Sequence, residues 1–393
     1  MALRVGLVGL GKMGLSHLAI AGETEGMTIP AVCDSNSFLL GVLNKYGSYE
    51  GYSDLSKMLD AERLDAVIVA TPTRLHAPMV REAIERGLHV FCEKPFCLDV
   101  ADSEELSARA TQKALTTQVG YHNRYVGTFQ EVGRLLECGA IGEITHIVAE
   151  AYGPVVLKPK GGTWRSKLNE GGGCLFDYAA HPLNLVNWWF GEPDSVRGSV
   201  MHSVFSREIE DEVYSTLTWA DGKTCHLSVN WSDESQRKMT TQITISGTEG
   251  KIYADRQECR VFLRDSANPP SGYNPGWNVR YTTSLTPPVG FYLRGEEYSA
   301  QLQDFVARAT IGELDGNNFA SALVTDRTLA AIIRDSRTST DDVAEAAASR
   351  HTVTNDVLGR RRYSVKQRSS AALGAAREGV RSGRSYLRER VGR

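Results

Sequence analysis

The chain predicts an α/β protein: a doubly wound parallel sheet followed by an α+β domain with a largely antiparallel, open sheet. Three observations lead there. Over the first 125 residues, short apolar runs alternate with amphipathic stretches, the pattern of βαβ units. A glycine-rich run, Gly9-Leu10-Gly11-Lys12-Met13-Gly14, joins the first apolar run to the first amphipathic one. Beyond residue 125 the pattern changes to strand-like segments separated by turn signals.

In the first region, strands are expected at Leu3–Val8, Met27–Cys33, Ala66–Ala70, His89–Cys92 and Thr116–Val119. Helices are expected at Lys12–Ala21, Phe38–Tyr46, Leu55–Leu59, His76–Arg86 and Asp99–Ala114. Ala66 to Ala70 is apolar throughout, as a strand covered on both faces requires. Gly87 is placed to end its helix. A helix at Val126–Cys138 leads into the second region. There, strands are expected at Ile144–Tyr152, Val196–Phe205, Glu212–Ala220, Thr224–Trp231, Gln242–Ser246, Lys251–Asp255 and Arg260–Arg264. Asp221-Gly222 and Gly247-Thr248-Glu249-Gly250 are hairpin signals. Residues 266–290 hold five of the thirteen prolines and read as an irregular loop. Helices at Tyr298–Thr310 and Asp326–Arg334 are expected to return to the first domain. The domains are accordingly 1–124, 125–340 and a basic extension, 341–393.

Bulk composition narrows the function classes. The chain of 393 residues is 41% hydrophobic and 23% charged, ordinary for a water-soluble protein. No run of eighteen apolar residues appears, and Val5 to Leu10 is too short for a signal peptide. The seven cysteines lack metal-type spacing and read as reduced thiols of a cytoplasmic protein. Eleven Arg and one Lys against six acidic residues give 341–393 a charge of +6. Within an overall −3, that leaves the rest at −9, a poor surface for nucleic acid.

The glycine run follows a strand and opens a helix. Gly9 permits the tight turn, Gly11 lets a pyrophosphate approach, and Gly14 allows close helix–strand packing. Phosphates would sit on the helix N-terminus, beside Lys12 and Met13. Asp34 follows Gly14 by twenty residues, at the end of the second strand, with Ser35 next to it. A carboxylate there binds ribose hydroxyls and repels a 2′-phosphate, which favours NAD over NADP. Lys12 and Asn36 leave NADP open. Ala70, Thr71 and Pro72 end another parallel strand and should line the same crevice, with His76 a further candidate contact.

Two segments carry candidate chemistry. Glu93-Lys94-Pro95 directly follows a buried strand, so Lys94 lies where ligands bind in open parallel sheets. In Gly171-Gly172-Gly173-Cys174-Leu175-Phe176-Asp177-Tyr178-Ala179-Ala180-His181, Asp177 and His181 are four apart and would share a helix face. An imidazole titrates near neutrality and suits proton transfer. Pro182 would clash with the Tyr178 carbonyl and predicts a kink. Trp164 offers a flat apolar face to a ring-shaped ligand, and Arg165 a fork to an anion. Trp188-Trp189-Phe190 reads as helix core. Tyr273, Trp277 and Arg280 stand on the 266–290 loop, which could cover the site, connect elements or meet another subunit.

Taken in order, GLGKMG, Asp34, Ala70-Thr71-Pro72-Thr73, Glu93-Lys94-Pro95, Gly120-Tyr121-His122-Asn123-Arg124-Tyr125, the GGG…Asp177…His181 run and ISGTEGKI at 245–252 resemble the glucose-fructose oxidoreductase and inositol dehydrogenase family. The resemblance spans about residues 1–338. It implies a Rossmann domain, then an open sheet whose outer face makes oligomer contacts, here a homodimer or homotetramer. It also implies hydride transfer between nicotinamide and a secondary hydroxyl or ketone of a sugar, polyol or nucleotide sugar. In that family Lys94 matches the catalytic lysine, His181 the proton-transfer residue and Asp177 the acid that binds substrate hydroxyls. The chain has Tyr121-His122-Asn123-Arg124 where many members have two arginines, which makes Asn123 and Arg124 cofactor or substrate candidates. Two other readings remain: an NADPH-dependent ketoreductase of deoxysugar synthesis, and a non-catalytic dinucleotide-binding regulator. The extension departs from the family. Its stripe Leu373, Ala376, Val380, Leu387, Val391 among arginines would suit a membrane surface, a protein partner, docking on the enzyme or disorder.

Overall fold

The computed structural model describes residues 2–156 and 164–338, the side chain of Trp164 excepted. Readings that fall on 341–393 lie outside the described residues. Six parallel strands form the first sheet: β1 (Leu3–Val8), β2 (Met27–Cys33), β3 (Glu50–Tyr52), β4 (Ala66–Val69), β5 (His89–Cys92) and β6 (Thr117–Val119). Their order is β3-β2-β1-β4-β5-β6. Helices α1 (Lys12–Ala21), α2 (Ser37–Tyr46), α3 (Leu55–Ala61), α4 (His76–Glu85) and α5 (Val100–Gln112) connect them. The chain reverses direction of travel between β1 and β4, so a crevice opens at their carboxyl ends. All four residues of β4 are buried, as an apolar strand covered on both faces must be. Asn36 and Asp54 cap α2 and α3 with their side chains, and Gly87 (φ +78°) ends α4.

The second sheet has eight strands, ordered β14-β13-β12-β11-β7-β10-β9-β8. They are β7 (Ile144–Tyr152), β8 (Ser195–His202), β9 (Glu212–Thr218), β10 (Thr224–Asn230), β11 (Gln242–Gly247), β12 (Gly250–Ala254), β13 (Glu258–Leu263) and β14 (Gly276–Tyr281). Every pairing is antiparallel except β7 with β10. Strict alternation of burial along β9 and β13 gives the sheet one covered face and one open face. Helices α6 (Gly127–Glu137) and α7 (Ala180–Phe190) pack on the covered face. After the short α8 (Thr282–Leu285), α9 (Glu296–Ile311) returns to the first sheet, where Phe305 meets Phe91 edge-on at 6.0 Å. A last helix, 319–338, stacks Phe319 on Phe96 at 4.1 Å. These two returns gather the chain up to Ser336 into one compact unit.

The structure amends the sequence reading in three places. Residues 266–290 are not irregular throughout: Gly276–Tyr281 pairs with β13, and α8 follows. The flanking prolines mask a six-residue strand whose Trp277, Val279 and Tyr281 alternate outward. Glu50–Tyr52 is a third strand, too short for periodicity to register. Asp177 and His181 do not share a regular helix. Leu175–Ala179 is a π turn, and α7 starts at Ala180. The wider turn is how the backbone accommodates Pro182. Among the described residues, no helix is long and apolar enough to cross a membrane.

Candidate active site

Four segments meet at the carboxyl edge of the first sheet, because each donates to the carbonyl ending a neighbouring strand. Gly9 N donates to Cys33 O, Ala70 N to Val8 O, Glu93 N to Val69 O and Gly120 N to Cys92 O, all at 2.8–2.9 Å. The glycine loop, the Thr71 turn, Glu93-Lys94 and Tyr121-His122 therefore stand side by side.

The three glycines do different work. Gly9 has φ +92°, and a Cβ there would lie 2.7 Å from the Ala70 carbonyl oxygen. A Cβ on Gly14 would overlap the Gly9 carbonyl. Gly11 faces open space and caps α1 without any side-chain hydrogen bond. The first-turn N–H groups of α1, with Lys12 exposed and Met13 half-buried, thus face a bare cradle. Such a cradle fits a pyrophosphate. Asp34 closes it: Oδ2 accepts from Leu10 N at 2.5 Å and Oδ1 from Asn36 N at 2.7 Å. Ser35 is exposed beside it, and the Asn36 side chain is spent on capping α2.

His76 is a brace. Its ring lies between the Thr71 carbonyl (Nε2, 3.0 Å) and those of Pro95 and Phe96 (Nδ1, 3.0 and 3.1 Å). Burial lowers its pKa. The histidine thereby ties the Thr71 turn, with Ala70 half-buried and Pro72 exposed, to the Lys94 turn. Glu93 braces α1: its Oε1 meets His17 Nε2 at 2.7 Å, and Oε2 accepts from Lys94 N at 3.1 Å. Burial opposes the Glu93 charge, but His17 and Lys94 hold its pKa below the usual value.

Lys94 precedes a cis peptide to Pro95. Its Nζ donates to the Asp177 carbonyl oxygen at 2.8 Å and to Oδ1 at 3.0 Å. Asp177 Oδ2 accepts from Arg165 Nε at 2.8 Å. Burial raises the Asp177 pKa, yet Lys94 and Arg165 together bring it below the usual carboxylate value. The triple glycine makes this possible. Gly171 and Gly173 have φ +82° and +104°, and a Cβ on Gly173 would overlap the Glu210 carboxylate. Glu210, in turn, accepts from Leu175 N at 2.9 Å and fixes the π turn.

His181 opens α7, only 2% exposed. Its ring lies 4.9 Å from that of His122 and 6.4 Å from that of Tyr121. Nδ1 is buried without a partner. Burial, then the charges of Lys94 and Arg256, push its pKa well below 6.5. The ring is therefore neutral at physiological pH and free to accept a proton.

Other predicted residues stand apart from this group. Arg124 is buried, donates from Nε to Asn184 Oδ1 at 2.8 Å and lies 5.4 Å over Trp188. Asn123 donates to Thr241 Oγ1 at 3.3 Å. Tyr273 donates to Glu131, with Arg280 over its ring. Trp188, Trp189 and Phe190 line a cavity of about 240 Å³ between α6 and α7, and no residue around Lys94 borders it. Conversely, His122, Arg256 and Tyr298 belong to the group and were not singled out from sequence. His122 had a usable signal: it follows β6 as Lys94 follows β5.

Residues 3–121 match the oxidoreductase family GFO/IDH/MocA, NAD-binding Rossmann fold, and residues 129–253 match the GFO/IDH/MocA C-terminal domain. The chain belongs to the GFO/IDH/MocA family. Residues 3–121, which include the glycine loop, thus belong to an NAD-binding Rossmann fold. The chain is 26% identical to the rhizopine catabolism protein MocA of Rhizobium meliloti over 325 residues, 81% of this chain and 90% of that one. It is 24% identical to the myo-inositol 2-dehydrogenase of Thermotoga maritima over 275 residues, 67% and 78% of the two chains. Among solved structures, levoglucosan dehydrogenase in complex with NADH and levoglucosan superposes with a TM-score of 0.76 at 21% identity. That match covers 86% of this chain and 98% of the other, and the likeness is one of fold. As a GFO/IDH/MocA protein, the chain is an NAD-dependent oxidoreductase of the dehydrogenase type.

Proposed function

We propose that the protein transfers hydride between NAD and a secondary hydroxyl or ketone of a sugar, polyol or nucleotide sugar, with His181 moving the proton and Lys94 holding the reacting oxygen. One observation carries the reading: a buried histidine with an unpartnered Nδ1, four residues after the buried carboxylate that fixes the lysine. Bound at Gly9, Gly11, Gly14 and Asp34, NAD supplies the hydride acceptor. The ammonium of Lys94 has three donors, and Asp177 takes two of them. The third is available to the substrate oxygen, where it stabilises charge as the O–H proton leaves. His181, uncharged, accepts that proton. Asp177 and Arg165 orient the lysine, and Trp164, whose side chain lies outside the described residues, remains a candidate substrate contact. The test is NADH formation across a panel of sugars and polyols: turnover on a member of the panel supports the reading, provided Lys94→Ala lowers it by about a thousandfold. Unchanged turnover in that variant rules it out.

Asp34 supports NAD over NADP, because a carboxylate ending the second strand of this fold would repel a 2′-phosphate, and like charges in contact cost several kcal/mol. Wild-type protein is expected to use NADH about a hundredfold better than NADPH. Asp34→Ser narrows that ratio. A wild-type preference for NADPH favours the ketoreductase reading.

Association through the open sheet face is part of the proposal. Tyr253, Phe262 and Trp277 cluster there with ring centroids 5.4–6.0 Å apart. Trp277 is 60% exposed, and Val279 and Tyr281 extend the apolar row. A homodimer or homotetramer burying this face is expected to dissociate on Trp277→Glu, read as molar mass by light scattering. An unchanged mass removes this face from the interface.

A further inference from the structure

Arg294 has no part in the chemistry above, yet the backbone strains to present it. Among the described residues only Ala114 and Arg294 combine a side chain with positive φ, and Arg294 stands at +70°. Holding a non-glycine residue there costs of order 1 kcal/mol. The neighbours impose it. A Cβ on Gly295 would overlap the Glu297 carboxylate, which is held by Arg256. On the other side, Phe291 and Leu293 pack into the apolar cluster that also contains Met13 of the cofactor loop.

The exposed guanidinium lies 5.3 Å from the Tyr298 ring centre. Tyr298 stacks on His122 at 4.5 Å, and His122 meets His181 at 4.9 Å. Arg294 therefore stands at the outer end of a ring stack leading to His181. Three cations near His181 have carboxylate partners: Lys94 and Arg165 share Asp177, and Arg256 holds Glu297. Among the described residues Arg294 has neither an ion-pair nor a hydrogen-bond partner, only the face of Tyr298. Burial first, then His181, Arg256, Lys94 and last Arg294 hold the His122 pKa well below 6.5.

We propose that Arg294 is an anion-recognition residue, taking a phosphate-type oxyanion at the rim between the glycine loop and His181. The anion belongs either to the dinucleotide pyrophosphate or to an anionic group on the substrate. The second source rests on the function proposed above. Binding measurements need no turnover, so a failure of that function and a failure of this site are told apart.

Two variants separate charge from strain. Arg294→Gln removes the charge and keeps the strained turn. Arg294→Gly removes both, because glycine adopts positive φ freely. NADH affinity is read by fluorescence titration. Affinity for inorganic phosphate is read by calorimetry, with and without saturating NAD. Both variants are expected to lose about tenfold in anion affinity, the weight of one charge-assisted hydrogen bond. Arg294→Gly should also melt higher than wild type. If NADH affinity falls and NAD excludes phosphate, the anion is the cofactor's. If NADH affinity holds and phosphate still binds the NAD-loaded protein through Arg294, the anion is the substrate's. If neither affinity moves by more than about twofold, the site is overturned, even if Arg294→Gly melts higher.

Discussion

Replacing Lys94 by alanine is expected to lower kcat by about a thousandfold, with a small change in KM. Loss of one donor aimed at a developing oxyanion costs about 10²–10³ in rate. Here the deletion also releases Asp177, which keeps Arg165 but loses its other cation. A buried carboxylate stripped of a partner is free to turn and accept a hydrogen bond elsewhere, so the loss should sit at the upper end. The pH profile reads the electrostatic effect of Lys94 on His181. In the oxidative direction His181 must be neutral, and its pKa lies well below 6.5. Wild-type kcat/KM should therefore be flat through neutrality and fall only as pH drops through that lowered value. Lys94 is one of the two charges that depress it. The residual activity of Lys94→Ala should lose its acid limb at higher pH than wild type, displaced toward 6.5. His181→Asn should show no such limb. A lysine that only supported the fold would leave kcat within about tenfold of wild type, and that result would sink the assignment.

Local chemistry explains what was legible in the chain. Gly9, Gly14 and Asp34 are read from sequence because each answers a demand within one βαβ unit: a positive φ, a close approach, a carboxylate at a strand end. The parallel sheet follows from the same local pattern. What escaped notice depends on partners far along the chain. Glu93 binds His17 across 76 positions, and Lys94 binds Asp177 across 83. No periodicity encodes such a pair. Position suggests a ligand contact for His76 and the family resemblance one for Arg124, while the fold engages the first with backbone carbonyls and the second with Asn184. Asp177 and His181 were joined by helical arithmetic. The fold keeps both near Lys94 through a π turn, which that arithmetic does not contain. Arg294 carried no signal, since its left-handed backbone is imposed by Gly295, Glu297 and the packing of Phe291 and Leu293.

Asp326→Asn is expected to stabilise the protein, and to do so only toward alkaline pH. Asp326 lies on the 319–338 helix, 4% exposed, with no cation beside it. Oδ2 accepts from Ser103 Oγ at 2.6 Å and Cys97 N at 3.2 Å, while Oδ1 is buried without a partner. Burial raises its pKa from 3.8 to about 7, against the opposing effect of those two hydrogen bonds. The sign is the reverse of a salt-bridged carboxylate. Between pH 4 and 7 the folded protein keeps a proton that the unfolded chain has released, so stability falls as pH rises, by about 1.4 kcal/mol per unit. Above pH 7 both states are ionised and the cost is constant, about 4 kcal/mol. Asparagine removes that cost and keeps one oxygen for Ser103 and Cys97. Its amide N–H groups then occupy the unpartnered position, at about 1–3 kcal/mol. The net gain at pH 8 is about 1–3 kcal/mol, shrinking toward zero at pH 5. Urea unfolding at both pH values reads it, with an unchanged m-value confirming that only stability moved. An equal difference at pH 5 and pH 8 would mean that the Asp326 charge is not what limits the helix, and that its oxygen contacts to Ser103 and Cys97 alone set its contribution.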